Sequence, residues 1–161
     1  MIDPHEIVVG MADLKVGQFP STISTSLGSC IGVCLYSSQN KAGGMLHLMM
    51  DYAGGSANKE GFKKSKYADT GIPELLHQLK INYRINPNDC IAKIFGGGRI
   101  LQNVTHNIGE ANEIAVKKIL ASLGIRIVAS KTGGVKGYKI KMHLDTGKVF
   151  CQILGGPVEE F

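Results

Sequence analysis

The chain has 161 residues, 43% of them hydrophobic and 19% charged, which suits one globular domain over residues 1–161 with no linker between parts. Its net charge of +5 reads either as simple solubility or as suited to an acidic partner, and because aromatics are only 6%, tryptophan is absent and no nucleic-acid motif is present, nucleic acid is set aside. No apolar run is long enough to span a bilayer, and MIDPHEIVVG at the N-terminus lacks the basic start of a secretory signal. The expectation is a cytoplasmic protein without membrane insertion, whose four cysteines (Cys30, Cys34, Cys90, Cys151) are free thiols.

Residues 6–16 read as one or two strands, broken at Phe19-Pro20-Ser21-Thr22, with Ile23 to Leu27 as the next strand. Leu27-Gly28-Ser29-Cys30 is a tight small-residue turn. Ile31 to Tyr36 and the apolar run that carries His47 then form a hairpin around Ser37-Ser38-Gln39-Asn40. Residues 51–66 form a loop with a basic cluster, Lys59, Lys63, Lys64 and Lys66, which reads either as a solvated surface or as a lip that meets an acidic partner.

The spacing predicts a helix from Thr70 or Gly71 to Ile81, with Ile72, Leu75, Leu76 and Leu79 on its inner face and His77 outside it. Cys90 to Phe95 reads as a buried strand ending in Gly96-Gly97-Gly98. That turn lacks the Lys-Ser/Thr of a P-loop and the spacing of a dinucleotide fingerprint, so it reads as close backbone packing or a site wall. A second helix starts at Asn107, with Glu110 three residues on, and ends at Gly124. Its predicted inner side is Ala111, Ile114, Ala115, Ile119 and Leu123. Ile125 to Ser130 is a strand, and the last third is a hairpin about Asp145-Thr146-Gly147 with Cys151 as a core filler and His143 on the polar face. Strands interrupted by two separated helices give an α+β fold with a substantial sheet core.

The hairpin register implied by the turn puts Cys30 directly across from His47, on one face. A thiol beside an imidazole is the arrangement a thiolate nucleophile needs, because an imidazolium stabilises the anion and then gives its proton to the leaving group. A third group usually orients the ring, and Ser24 and Thr25 are the nearest candidates. Backbone amides around Gly28, Ser29 and Cys30 are candidate oxyanion donors. A metal site from Cys30, Cys34 and His47 is disfavoured, since Cys34 lies about 13 Å along the strand at about 3.3 Å per residue. No metal and no cofactor is expected.

Thr25-Ser26-Leu27-Gly28-Ser29-Cys30-Ile31-Gly32-Val33-Cys34-Leu35-Tyr36, followed by Ala42-Gly43-Gly44-Met45-Leu46-His47-Leu48-Met49, resembles the CheD family of chemoreceptor glutamine deamidases. The similarity continues through Lys66-Tyr67-Ala68-Asp69-Thr70, Gly96-Gly97, Asn107-Ile108-Gly109 with Asn112, Thr132-Gly133-Gly134 and Asp145-Thr146-Gly147.

The resemblance implies a mixed β-sheet sandwich core flanked by two main helices, similar to the cytotoxic necrotizing factor catalytic domain. It implies conversion of glutamines on methyl-accepting chemotaxis receptors to glutamate with release of ammonia, and in some members hydrolysis of receptor methyl esters. Cys30 would be the nucleophile and His47 the base and acid. The hydroxyl member falls on Ser24 by its offset from the cysteine, or on Thr25 by residue identity. The implied partners are a receptor's cytoplasmic helical bundle, whose acidic surroundings would suit the loop from Lys59 to Lys66, and a CheC-type phosphatase. Met49-Met50-Asp51-Tyr52 and Val135-Lys136-Gly137-Tyr138 depart from the family pattern, which bears on the implied substrate contacts more than on the implied chemistry. Two other readings are a non-catalytic adaptor for receptor or phosphatase, and a cysteine hydrolase or acyltransferase acting on a small amide.

Overall fold

A computed structural model describes residues 3–101 and 106–161. In chain order the elements are β1 (Glu6–Val8), β2 (Asp13–Gln18), β3 (Thr22–Leu27), β4 (Ile31–Ser37), β5 (Ala42–Leu48), α1 (Ala68–Tyr83), β6 (Ile91–Gly96), α2 (Ile108–Ser122), β7 (Arg126–Thr132), β8 (Tyr138–His143), β9 (Val149–Ile153) and β10 (Val158–Glu160). The strands form two five-stranded sheets, one ordered β1-β3-β8-β9-β10 and the other β2-β5-β4-β6-β7. Each sheet is mixed, with β1 parallel to β3 and β6 parallel to β7. The α+β sandwich with two main helices expected from the sequence is the fold observed.

Three layers follow from where apolar side chains point. Strands β4 and β5 are buried along their whole length, so they read as continuous apolar and small-residue runs rather than alternating ones. One of their faces meets the helices: Val33, Leu35, Leu46 and Leu48 pack against Ile72, Leu75 and Leu79 of α1 and Val116 and Leu120 of α2. Their other face meets the first sheet, where Cys34, Tyr36 and Met45, together with Phe95 of β6, oppose Ile23, Ile140 and Met142. Each fully buried aliphatic side chain stabilises this arrangement by roughly 1.5–3 kcal/mol. Strand β8 has only one buried face, hence its alternation of Tyr138, Ile140 and Met142 inward with Lys139, Lys141 and His143 outward. No helix among the described residues is long and apolar enough to cross a membrane.

Three expectations change in detail. The β4–β5 turn lies one residue later, closing with Ser37 opposite Ala42, so Gly32 and not Cys30 stands across from His47. The cause lies in the turn: Lys41 takes a left-handed φ of 47°. Asn40 is held between the Ser37 hydroxyl, which donates to its Oδ1, and the Tyr83 carbonyl, to which its Nδ2 donates. A one-residue shift of the turn moves the pairing by two, which preserves the face each side chain occupies.

Helix α2 is rotated from its predicted orientation. Its buried residues are Gly109, Asn112, Ala115, Val116 and Leu120, while Ile114 is 60% exposed. Contact of Gly109 with Gly97 and a bond from Asn112 to the Met49 carbonyl fix that rotation. Helix α1 begins earlier than predicted because the Ala68 N–H is held by the Met50 and Asp51 carbonyls, which leaves Pro73 inside the helix. The loop ahead of it contains two short 3-10 turns, Gly54–Asn58 and Lys64–Lys66.

Candidate active site

Strand β3 ends at Leu27 in the first sheet and β4 begins at Ile31 in the second, so residues 28–30 carry the chain from one sheet to the other. The Gly96-Gly97-Gly98 turn supports this crossing. The Gly97 N–H donates to the Cys30 carbonyl at 2.8 Å and the Gly98 N–H to the Gly28 carbonyl at 3.0 Å. Gly96 has φ +99°, and a Cβ there would lie 2.5 Å from the Cys30 carbonyl oxygen, so only glycine fits. The glycine turn is thus a backbone wall against the Cys30 turn.

His47 lies on β5, facing the first sheet, and is 4% exposed. From β3, on the opposite sheet, the Thr25 hydroxyl oxygen reaches within 2.8 Å of its Nδ1. The same hydroxyl donates to the Val9 carbonyl at 2.7 Å. A hydroxyl has one proton to give. With that proton on Val9, Thr25 meets the imidazole as an acceptor, so Nδ1 carries the ring proton and Nε2 carries the lone pair. This tautomer follows from the hydrogen-bond network. Nε2 is buried and has no hydrogen-bond partner among the described residues. Ser24 is directed elsewhere: its hydroxyl donates to Glu6 Oε1 at 2.7 Å, and Glu6 is further paired with Lys141 at 3.3 Å. The two sequence candidates for the third position therefore separate, with Thr25 at the ring and Ser24 at a carboxylate.

Cys30 precedes β4 by one residue and belongs to the apolar cluster between the sheets. With Gly32 opposite His47, Cys30 and His47 are diagonal neighbours; such pairs lie roughly 7–8 Å apart across an antiparallel ladder, within reach of longer side chains. Burial pushes the Cys30 thiol above its ordinary pKa, and a hydrogen bond from its own backbone N–H offsets part of that shift. Burial also pushes His47 below its ordinary value. Thr25 contributes no negative charge to hold an imidazolium. The resting pair is accordingly a neutral thiol and a neutral imidazole.

The backbone of His47 is pinned from several elements. Its carbonyl accepts from the Ala12 N–H at 3.0 Å, and the Ala12 carbonyl accepts from the buried Ser65 hydroxyl at 2.6 Å. Asn112 Nδ2 donates to the Met49 carbonyl at 2.9 Å. Beside Ser29 opens an apolar cleft of about 210 Å³ lined by Ile100, Leu101 and Ile108 with Arg99. No cluster of three or more His, Cys, Asp or Glu side chains among the described residues is placed to hold a metal ion.

This geometry can be set beside known proteins. Residues 49–153 match the family model described as CheD chemotactic sensory transduction. A Caldanaerobacter subterraneus subsp. tengcongensis protein named "Probable chemoreceptor glutamine deamidase CheD" is 37% identical over 94% of this chain and 94% of its own. A Pyrococcus abyssi protein of the same name is 40% identical over 97% of each chain. The chain belongs to the CheD family.

A Thermotoga maritima relative, "Chemoreceptor glutamine deamidase CheD", is 36% identical over 92% of both chains. Among solved structures, Bacillus licheniformis hypothetical protein YfiH is similar at a TM-score of 0.45 and 13% identity, covering 76% of this chain and 49% of its own.

In this CheD-family chain the structure brings Thr25 and His47 into contact and sets Cys30, Gly28 and Ser29 at the adjoining turn. The loop lysines stand outside this group. Lys59, Lys63 and Lys64 are exposed, Lys66 is half-buried, and Lys64 is paired with Glu74 at 3.5 Å. Sequence reasoning missed Val9, whose part is played by a backbone carbonyl and leaves no trace in residue type. Asn112 had a signal: a polar residue on the buried side of a helix requires a partner.

Proposed function

We propose that this chain hydrolyses side-chain amides of glutamines on methyl-accepting chemotaxis receptors, giving glutamate and ammonia, with Cys30 as nucleophile and His47 as the proton carrier. The observation that carries this reading is the bare, buried Nε2 of His47, held in that tautomer by Thr25.

The reaction runs in two halves. As the Cys30 sulfur attacks the amide carbon, its proton passes to His47 Nε2. Backbone N–H groups of the Gly28–Cys30 turn face the developing oxyanion. The tetrahedral species collapses by breaking the C–N bond, and the Nε2 proton leaves with ammonia. A thioester remains. Water then attacks it while Nε2 takes the water's proton, and the proton returns to sulfur as glutamate departs. A glutamyl methyl ester follows the same path with methanol leaving, so methylesterase activity belongs to the same site.

Thr25 orients the ring without supplying charge, so the imidazolium exists only during the reaction. The receptor's cytoplasmic helical bundle would place this chemistry in the cytoplasm. A CheC-type phosphatase covering the Cys30 turn would compete with receptor there.

Incubation of a receptor cytoplasmic fragment with the protein should raise its intact mass by about one dalton per glutamine, through the thiol chemistry described. Cys30→Ala and His47→Ala should abolish the gain. Tight binding without any mass change, by the wild type as well as the variants, would instead fit an adaptor.

A further inference from the structure

Three lysines of the segment ahead of α1 share one feature. Lys59, Lys63 and Lys66 line a single cleft of about 390 Å³, together with Ser56, Phe62 and Tyr67. Glu60 is its one acidic lining residue. Among the described residues, no carboxylate lies within ion-pairing distance of these three ammonium groups, whereas Lys64 is neutralised by Glu74. The cleft has a firm wall: the Phe62 and Tyr67 rings stack at 5.7 Å, and Lys66 Nζ sits 5.7 Å above the Tyr67 ring. Like charges gathered on such a support repel one another until a counter-charge arrives.

The cleft is also tied to the candidate site. The Lys66 carbonyl accepts from the Met49 and Met50 N–H groups, at 2.9 and 3.0 Å. Met49 follows His47 by two residues on the same chain, roughly 7 Å along an extended strand. Ser65, next to Lys66, bonds the Ala12 carbonyl, and the Ala12 N–H bonds His47 itself. The basic cleft is thus fixed relative to His47 through two hydrogen-bonded routes, one of them by way of the Ser65 hydroxyl.

We infer that this cleft receives carboxylates of the substrate protein that flank the target glutamine, and so helps to select which glutamine is hydrolysed. The inference rests on the deamidase reading above. Nucleic acid is disfavoured as the occupant: single strands are bound by exposed aromatic faces, and Tyr67 is 8% exposed, with Phe62 and Lys66 against it.

The test is steady-state kinetics on a receptor cytoplasmic fragment with Lys59→Glu/Lys63→Glu and Lys59→Gln/Lys63→Gln, both changes lying on exposed side chains. The charge reversal should raise KM roughly tenfold, with kcat within a factor of about two, and the neutral variant should fall between it and the wild type. The fall of wild-type kcat/KM between about 0.01 M and about 0.15 M salt should flatten in both variants, because screening then has less attraction to remove. Unchanged KM and salt dependence, with an active wild type, would overturn the docking role and leave the deamidase reading standing. Oligonucleotide binding abolished by charge reversal, with receptor KM unchanged, would also overturn it. A wild type that leaves the receptor mass unaltered would sink the deamidase reading first and this inference with it.

Discussion

Two cysteines lie between the same pair of sheets, four residues apart, and their surroundings assign them opposite fates. Cys34 is mid-strand and 1% exposed, directly across from Lys93 in the β4–β6 ladder. Cys30 stands at the crossing between sheets, beside the one imidazole of that interior. A cation near Cys34 should favour its thiolate, yet burial prevails and the thiol is pushed up to about 12. Lys93 gives its protons to the Gly147 and Phe161 carbonyls, at 2.8 and 3.0 Å, and burial lowers its pKa as well. Cys151, facing the same interior, is pushed to about 11. Nearness to a positive charge therefore does not make a reactive cysteine. What distinguishes Cys30 is an imidazole on the same face that is neutral at rest and carries an open lone pair, together with a place in a turn whose Ser29 lines an open cleft.

Breaking the imidazole's support should blur this difference most. Thr25→Val keeps the shape of the side chain and removes the acceptor for Nδ1–H, leaving a buried donor unpaired and the ring free to adopt the other tautomer. The expected loss in kcat is on the order of 100-fold with little change in KM, the scale on which general-base contributions fall. Thr25→Ser, which keeps the oxygen, should restore most of it. Ser24→Ala removes only the bond to Glu6 and should cost less than about threefold. Kinetics on a deamidation substrate check all three, and equal losses from Thr25→Val and Ser24→Ala would remove the special position given to Thr25.

The pH dependence sharpens the same contrast. Cys30 has a raised thiol pKa and His47 a lowered one. Alkylation of Cys30 in the folded protein should climb with pH through and beyond the ordinary thiol range, with no plateau near neutrality, while Cys34 and Cys151 stay unmodified. Deamidation should keep its rate down to pH values below the ordinary histidine pKa of about 6.5, then fall as Nε2 becomes protonated. The sign follows from burial, which disfavours imidazolium and lowers the pH at which the base is lost. Peptide mapping after alkylation, and rates across pH, provide both readouts. An alkylation plateau at acidic pH would point to a preformed thiolate–imidazolium pair.

The family and the fold class were legible in the sequence, and the detailed geometry less so. The expected pairing of Cys30 with His47 gave way to Gly32 across from His47, but a shift by two preserves the face of every side chain, so Cys30 and His47 remain on one face. The choice between Ser24 and Thr25 had a local cue, since strand alternation puts Thr25 on the face of the apolar Ile23 and Leu27 and Ser24 on the other, while the contact that decides it joins strands of different sheets. Helix α1 was legible because Ile72, Leu75, Leu76 and Leu79 form one stripe, and all four are buried. Helix α2 offers two apolar stripes, one through Ile114 and one through Val116 and Leu120. The choice between them lies in the close approach of Gly109 to Gly97 and in the Asn112 bond, both of them tertiary contacts. The parallel pairings of β1 with β3 and β6 with β7 join segments distant in sequence, and no turn residue announces them.

The central claim is that Thr25 and Val9 fix the neutral tautomer of His47 with its proton on Nδ1. Nitrogen-15 NMR of the intact protein, labelled at histidine and assigned with His47→Gln, measures this directly at pH 7. A protonated Nδ1 with a bare, pyridine-type Nε2, lost or reversed in Thr25→Val, is the predicted result. A proton on Nε2, or an imidazolium at that pH, would contradict it.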